Sequence, residues 1–292
     1  MGSVALNGYD GYGCVTEPDV RHAIKRAAAA AEIPGDMALL DLEVTSFLVD
    51  DQDRIADPLG MVGNRLGARL TALLARKKSL QILSAACKRT MLEKYTTTAS
   101  SLASATYILS DDEKRLGVCL LDMGARLTNM VAYTAGVLDY IVSVPCGGNT
   151  LTESIAKRLR LDKSEAEKIK IAFSNGEDGV DADQASVIRD EAEKWGQRLC
   201  KLLERELDIL YWKDKAEDKY NFDFATGIVL TGGASRLPEV SEILAEVFTL
   251  PVRQGVIQVM DGISSEYASA IGLVLRGINP TSSLSSQRTN IP

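Results

Sequence analysis

Three short stretches of the chain set polar side chains beside glycines or along one helix face, in patterns suited to phosphate and sugar chemistry. Leu121-Asp122-Met123-Gly124 puts a carboxylate and a glycine at the end of an apolar run. A turn there lets backbone N–H groups approach a phosphate closely, because glycine has no Cβ. Glu165-Ala166-Glu167-Lys168-Ile169-Lys170 has helical character, and Glu167 and Lys170 fall one turn apart on one face. From there they could hold a ribose and an adenine. Val229-Leu230-Thr231-Gly232-Gly233-Ala234-Ser235-Arg236 reads as a strand that ends in two glycines and opens a helix. That arrangement gives a close backbone approach and a positive helix end. Singly, these stretches also read as a β-turn, a surface ion pair and a plain strand-to-helix turn. Their order and spacing carry more information than any one of them.

Other chemistries find little support. His22 is the only histidine, and Thr16-Glu17-Pro18-Asp19 before it reads as a helix start, which makes it a surface helix residue. Hydrolase chemistry built on a Ser-His or Cys-His pair is therefore excluded. The five cysteines (Cys14, Cys87, Cys119, Cys146 and Cys200) are odd in number, lie far apart and form no CxxC pair. They read as buried, reduced structural thiols, which points to the cytosol. Asp50-Asp51-Gln52-Asp53 lacks the glycine and distal glutamate of a calcium loop and reads as a hairpin turn.

The elements that must position the three stretches follow from periodicity. A helix is predicted over 16–31, capped by Thr16 and Asp19, with Val20, Ile24, Ala27, Ala28 and Ala31 on one face. Pro34-Gly35 ends it. Strands are predicted over 37–49 and 69–75, and helices over 79–94 and 99–109. Between Arg65 and Lys94 stand eight basic residues and one acid, Glu93, a solvated helix face. From Gly117 the chain changes character. GVCLLDMG is an apolar strand of the kind covered on both faces, and strands 128–135 and 137–144 meet at Gly136 as a hairpin. Helices dominate from Leu151 to Trp212, broken by the acidic loop 175–183. A strand over 226–230, a Gly-Gly turn, a helix from about Ser235, a short strand near Val252 and a helix over 266–276 complete the order.

The chain has 292 residues, 46% of them apolar and 25% charged, the composition of a globular α/β protein of about two domains. A net charge of −7 argues against nucleic acid as a partner. No apolar run is long enough to span a bilayer. The N-terminal sequence has no secretory signal, and Leu6 stands where a myristoylation motif needs Ser or Thr. Residues 279–292 read as a polar, disordered tail.

Together these stretches resemble the actin-like ATPase superfamily and, within it, the FtsA family of bacterial cell-division proteins. The resemblance runs from about residue 4 to 277. It rests on IADPLGMVGNRLGARL (55–70), ASSLASATYILSDDEKRLGVCLLDMG (99–124), VPCGGNTLTESIAKRL (144–159), SEAEKIK (164–170), GIVLTGGASRLPEV (227–240) and YASAIGLVLRG (267–277). The first, around Asp57-Pro58 and Gly60-Met61, is similar to the subdomain inserted in FtsA but not in actin. The implied fold is the α/β, actin-like (ribonuclease-H-like) two-lobe fold with an FtsA-type inserted subdomain at 1–85. The remainder of an incomplete first lobe falls at 86–116 and the second lobe at 117–278, with a helical small subdomain at 150–224. The resemblance also implies site residues for ATP and Mg. Asp122 and Gly124 would begin the second phosphate loop, with Thr128 at its polar end. Glu167 and Lys170 would face ribose and base, and Gly232 and Gly233 would pass the adenosine. Arg236 would lie along the adenine, and Gly148 and Asn149 would line the crossing between lobes.

The chain departs from the family pattern in several places. The first phosphate loop has no counterpart, and Arg126 and Leu127 replace the Gly and Thr of relatives. A triphosphate needs clamps from both sides, so the expectation is weak ATP binding or none, with negligible hydrolysis and no catalytic residue. The acidic loop 175–183 is shorter than in relatives, in the subdomain that receives the FtsZ tail; Arg189 and Arg198 lie near it. The tail lacks the basic amphipathic helix of the family, so direct membrane insertion is not expected. The implied function is a division scaffold at the cytoplasmic face of the inner membrane that contacts FtsZ, other divisome proteins and copies of itself. The alternatives are an active actin-like ATPase and an adaptor remnant of the pilus-assembly type.

Overall fold

A computed structural model describes residues 2–5, 13–90, 97–214, 224–256 and 267–278. The chain forms two compact units. One comprises Met1–Ala103, Ala135–Asp139 and Gly272–Pro292, and the other Ser104–Thr134 and Tyr140–Ile271.

In the first unit the order is β1 (Gly2–Ala5), β2 (Gly13–Cys14), α1 (Glu17–Ala29), β3 (Met37–Val49), β4 (Gln52–Ile55), β5 (Val62–Gly63), β6 (Arg65–Arg76) and α2 (Lys77–Arg89). β1, β6, β3 and β4 form an antiparallel sheet in that order. Thr16 and Asp19 close a capping box at the start of α1, as the Thr-x-x-acid spacing predicts. The helix buries Ala23 and Ala27 among Phe47, Val49, Leu66 and Ala68. Small residues on α1 bring its backbone close to the sheet. The aspartate-rich turn is narrower than expected: Val49 already pairs with Gln52, so only Asp50 and Asp51 turn. The Asp50 carboxylate accepts the Asn64 and Arg65 N–H groups at 3.0 and 2.8 Å, which ties the hairpin to the start of β6. α2 buries no residue, so its lysines and arginine are solvated as predicted; residues 91–94 of the expected helix lie outside the described residues.

The second unit is built on α4 (Asp111–Leu116), β7 (Val118–Met123), β8 (Thr128–Thr134), β9 (Val137–Val144), α5 (Gly148–Leu159), α6 (Lys163–Asn175), α7 (Ala182–Asp214), β10 (Ile228–Thr231), α8 (Pro238–Phe248) and β11 (Val252–Gln254). The helices α3 (Ser100–Ile108) and α9 (Ala268–Ile278), and the strand β9, are divided between the units. The sheet order is β11-β10-β7-β8-β9, with β11, β10 and β7 parallel and β7 and β8 antiparallel. All six residues of β7 are buried, the carboxylate Asp122 among them, as a largely apolar strand covered on both faces requires. Cys119, Leu121 and Met123 pack on Leu151, Ile155, Ile188, Trp195, Leu199 and Leu203 of the helices. Leu120 and Val131, at alternate positions, are fully buried as well. The β8–β9 turn holds Ala135 at φ 52° and Gly136 at φ 81°, the two left-handed positions of a type I′ hairpin.

Two differences from expectation bear on the site. The helix expected from about Ser235 is a single 3₁₀ turn, Gly233–Arg236, and α8 begins only at Pro238. Proline forces the preceding Leu237 into extended backbone (ψ 121°) and then serves as the first helical residue. α4 was not expected, although Ser110-x-x-Glu113 is a capping box in the sequence and forms one in the structure. The tail 279–292, Glu266 and residues 215–223 of the expected helical subdomain lie outside the described residues.

Candidate functional site

β7 ends at Met123 and the chain turns through Gly124–Leu127 into β8. The Gly124 N–H donates to the Leu127 carbonyl at 2.9 Å, and a Cβ on Gly124 would lie 3.2 Å from that oxygen. The start of α5 docks on this turn. The Gly148 and Asn149 N–H groups donate to the carbonyls of Gly124 (3.0 Å) and Ala125 (2.7 Å). Two of the orphan donors of the helix are thereby satisfied from within the chain. Gly147 makes the contact possible, since a Cβ there would stand 2.6 Å from the Ala125 and Arg126 carbonyl carbons. The indole N–H of Trp195 on α7 is shared between the Gly147 carbonyl (3.2 Å) and the Thr150 hydroxyl (3.0 Å).

A second wall comes from α6, capped by Asp162, whose carboxylate accepts the Glu165 N–H at 2.9 Å. The Lys170 ammonium lies 2.7 Å from Glu167 Oε2, 2.8 Å from the Thr152 hydroxyl and 3.4 Å from the Gly148 carbonyl. Thr152 also bonds Glu167 Oε2, which closes a triangle. Lys170 is buried and Glu167 is 40% exposed at its side chain. Burial by itself would raise the Glu167 carboxyl. Hydrogen bonds from Lys170 and Thr152, with the charges of Lys170 and Lys163, outweigh it and hold the group below its ordinary 4.5. The third wall is the turn after β10. Gly232 has φ 85°, and a Cβ there would meet the Met123 backbone at 2.6 Å, so only glycine carries the chain over the end of β7.

These walls enclose a cavity of about 180 Å³. Gly124, Gly148, Asn149, Glu167, Lys170, Gly233 and Arg236 all line it, so seven of the ten residues singled out from the sequence are brought together. The other three do not line it. Asp122 is buried, with Oδ2 3.4 Å from the hydroxyls of Ser104 on α3 and Ser269 on α9. Burial pushes its carboxyl up and the two serines offset this only in part. Thr128 is fully buried and donates to the Cys146 carbonyl at 2.6 Å, holding β8 to the segment before α5. Gly232 shapes the backbone beneath the cavity without lining it. Arg126 is exposed and is not among the lining residues. The sequence reading missed Ala125, Ile171, Ser174, Asn175, Ala234 and Leu237, which also line the cavity. Helical spacing from Glu167 and Lys170 would have found Ile171 and Ser174.

The residues fit a nucleoside better than a magnesium triphosphate. A paired carboxylate and ammonium, a glycine wall and an arginine stand where a sugar and base could lie. At the phosphate end, the N–H groups that open α5 are already bonded to the turn, and Asp122 is held by serines. Among the described residues no group of three or more His, Cys, Asp and Glu side chains is placed to hold a metal, and no helix is long and apolar enough to cross a membrane.

Comparison with known proteins agrees with this architecture. The family model "Cell division protein FtsA" matches residues 119–272, from β7 into α9. The model "SHS2 domain inserted in FTSA" matches residues 1–74, from β1 into β6. The cell division protein FtsA of Pseudomonas aeruginosa is 30% identical over 282 residues, which span 92% of this chain and 67% of that protein. That of Borreliella burgdorferi is 31% identical over 277 residues, 89% of this chain and 67% of the relative. Among solved structures, the PilM–PilN type IV pilus biogenesis complex superposes with a TM-score of 0.61 at 18% identity, over 95% of this chain and 77% of that one. MreB5 of Spiroplasma citri bound to ADP superposes with a TM-score of 0.51 at 14% identity, over 73% and 68%. The structural likenesses establish an actin-like fold, and the two family matches with the relatives at 30% identity place this chain in the FtsA family of cell-division proteins.

Proposed function

We propose that this chain works as a division scaffold, contacting FtsZ, other divisome proteins and further copies of itself at the cytoplasmic face of the membrane, with weak ATP binding or none and no significant turnover. Membership of the FtsA family is the observation that carries the reading. On it, residues 1–85 are the inserted subdomain, 86–116 belong to the first actin-like lobe and 117–278 form the second, with 150–224 as its helical part. Interaction surfaces do not need a complete phosphate cradle. If nucleotide binds, Glu167 and Lys170 hold the sugar, and Gly233 and Arg236 flank the base. ATP with Mg would supply a switchable charge, while this chain's residues orient the nucleoside. Pull-down with an FtsZ C-terminal tail peptide tests the scaffold. Enrichment over a scrambled peptide is expected; equal recovery of both would sink it.

An active ATPase is the second reading, favoured only by the intact Glu167–Lys170 pair. Phosphoryl transfer depends on groups placed around metal-bound phosphates, and Asp122 does not line the cavity. Phosphate release above background that Asp122→Ala abolishes would establish this reading over the first.

A further inference from the structure

The Glu167–Lys170 pair does not stand alone. Thr152, one turn into α5, is fully buried. Its oxygen accepts from Lys170 Nζ at 2.8 Å, and its single proton can go to Glu167 Oε2 or to the Gly148 carbonyl at 3.0 Å. A donor to the carboxylate is worth more than one to a neutral carbonyl, so the proton belongs to Glu167. Lys170 donates to the same Oε2 at 2.7 Å. Both donors thus converge on one carboxylate oxygen, and among the described residues the other oxygen has no protein donor. Glu167 lines the cavity.

We propose that Thr152 is a positioning residue that fixes the Glu167 carboxylate with its free oxygen offered to a sugar hydroxyl, which makes the cavity selective for ribonucleosides over deoxyribonucleosides. The proposal rests on the nucleotide reading above. Lys170 alone would not set the geometry. Its ammonium sits at the end of a flexible four-carbon chain and is a point charge, whereas the Thr152 hydroxyl is carried by a stiff β-branched side chain on a helix. A carboxylate held in this way rejects a ligand that lacks the hydroxyl, because the acceptor is desolvated and then left unpaired. The charged groups facing Glu167 are Lys163 and Lys170 on its own helix, and Arg236 lines the same cavity.

The test uses the whole chain and three variants: Thr152→Val, Thr152→Ala (in case the valine γ-methyl is not accommodated) and Thr152→Ser, which restores the hydroxyl. Affinities for ATP and 2′-deoxy-ATP are measured by calorimetry. The Glu167 carboxyl titration is followed by carbon NMR, its signal identified by loss in Glu167→Gln. Wild type is expected to favour ATP by about tenfold. The ratio falls toward one in Thr152→Val and Thr152→Ala and returns in Thr152→Ser, and the Glu167 midpoint rises in the first two only. Equal affinity of wild type for both nucleotides overturns the selectivity and leaves the nucleotide reading intact. Binding of neither nucleotide overturns that reading and the selectivity with it. An unmoved Glu167 midpoint in Thr152→Val and Thr152→Ala overturns the positioning role whatever the affinities.

Discussion

Two carboxylates within one compact unit are driven in opposite directions by their surroundings, and pH separates them. Glu167 is held below its ordinary value by Lys170 and Thr152 against burial. Its contribution to stability is complete above the unfolded-state value and is lost as pH falls through the folded one. Urea titration of wild type against Glu167→Gln should show the largest gap near neutral pH, narrowing below about pH 4.5. Asp122 is pushed up by burial, so its ionisation opposes folding above the unfolded value. Asp122→Asn should be as stable as wild type or more so at pH 7, with the advantage vanishing in acid. A loss at pH 7 would show that the ionised carboxylate is needed where it stands. The cysteines divide by burial. Cys14 is exposed, contrary to the sequence reading, and Cys87 is half-buried. The thiols of Cys119 and Cys200 are each pushed up to about 12 by burial. Native thiol titration should modify Cys14 first and Cys119, Cys146 and Cys200 only after unfolding.

At the scale of elements, the turn after β10 makes a sharp contrast between neighbouring glycines. Gly232 has positive φ, and a Cβ would meet Met123 backbone at 2.6 Å; at Gly233 a Cβ would meet nothing within 4 Å. Gly232→Ala should cost on the order of 3 kcal/mol and Gly233→Ala less than about 1 kcal/mol. Thermal melts of the pair decide it, and similar melting temperatures would refute the close approach. Two capping boxes share one spacing, Thr16–Asp19 and Ser110–Glu113, and both are legible in the sequence on the same grounds. The shift of the helix start from Ser235 to Pro238 was also readable in principle, from the restriction proline places on Leu237.

For the whole molecule, net charge and family decide the behaviour to expect. With a net charge of −7 and an isoelectric point near 5.0, solubility should be lowest near pH 5, where repulsion between copies vanishes. Light scattering across pH checks this; a minimum near neutrality would point to association through a specific surface. On the proposed nucleotide reading, any ATP binding should have a dissociation constant near the millimolar range or weaker, roughly −4 kcal/mol, since that reading leaves little protein contact for phosphate.

The longer helices and strands and their order were legible from local pattern, whereas β1, β2, β4, β5 and α4 were not predicted from it: the largely apolar run 118–123 had to be a buried strand, and the alanine-rich face after Thr16 had to be a helix. The pairing of Glu167 with Lys170 followed from helical spacing for the same reason, because residues three apart share a face wherever the helix lies. Thr152, Trp195 and the serines around Asp122 are 15 to 147 residues distant in sequence from the groups they hold. Only the tertiary fold brings them within hydrogen-bond reach. It also decided which way Asp122 and Thr128 turn, since the direction of a buried polar side chain is set by where its partners lie in space, and no periodicity in the chain encodes that.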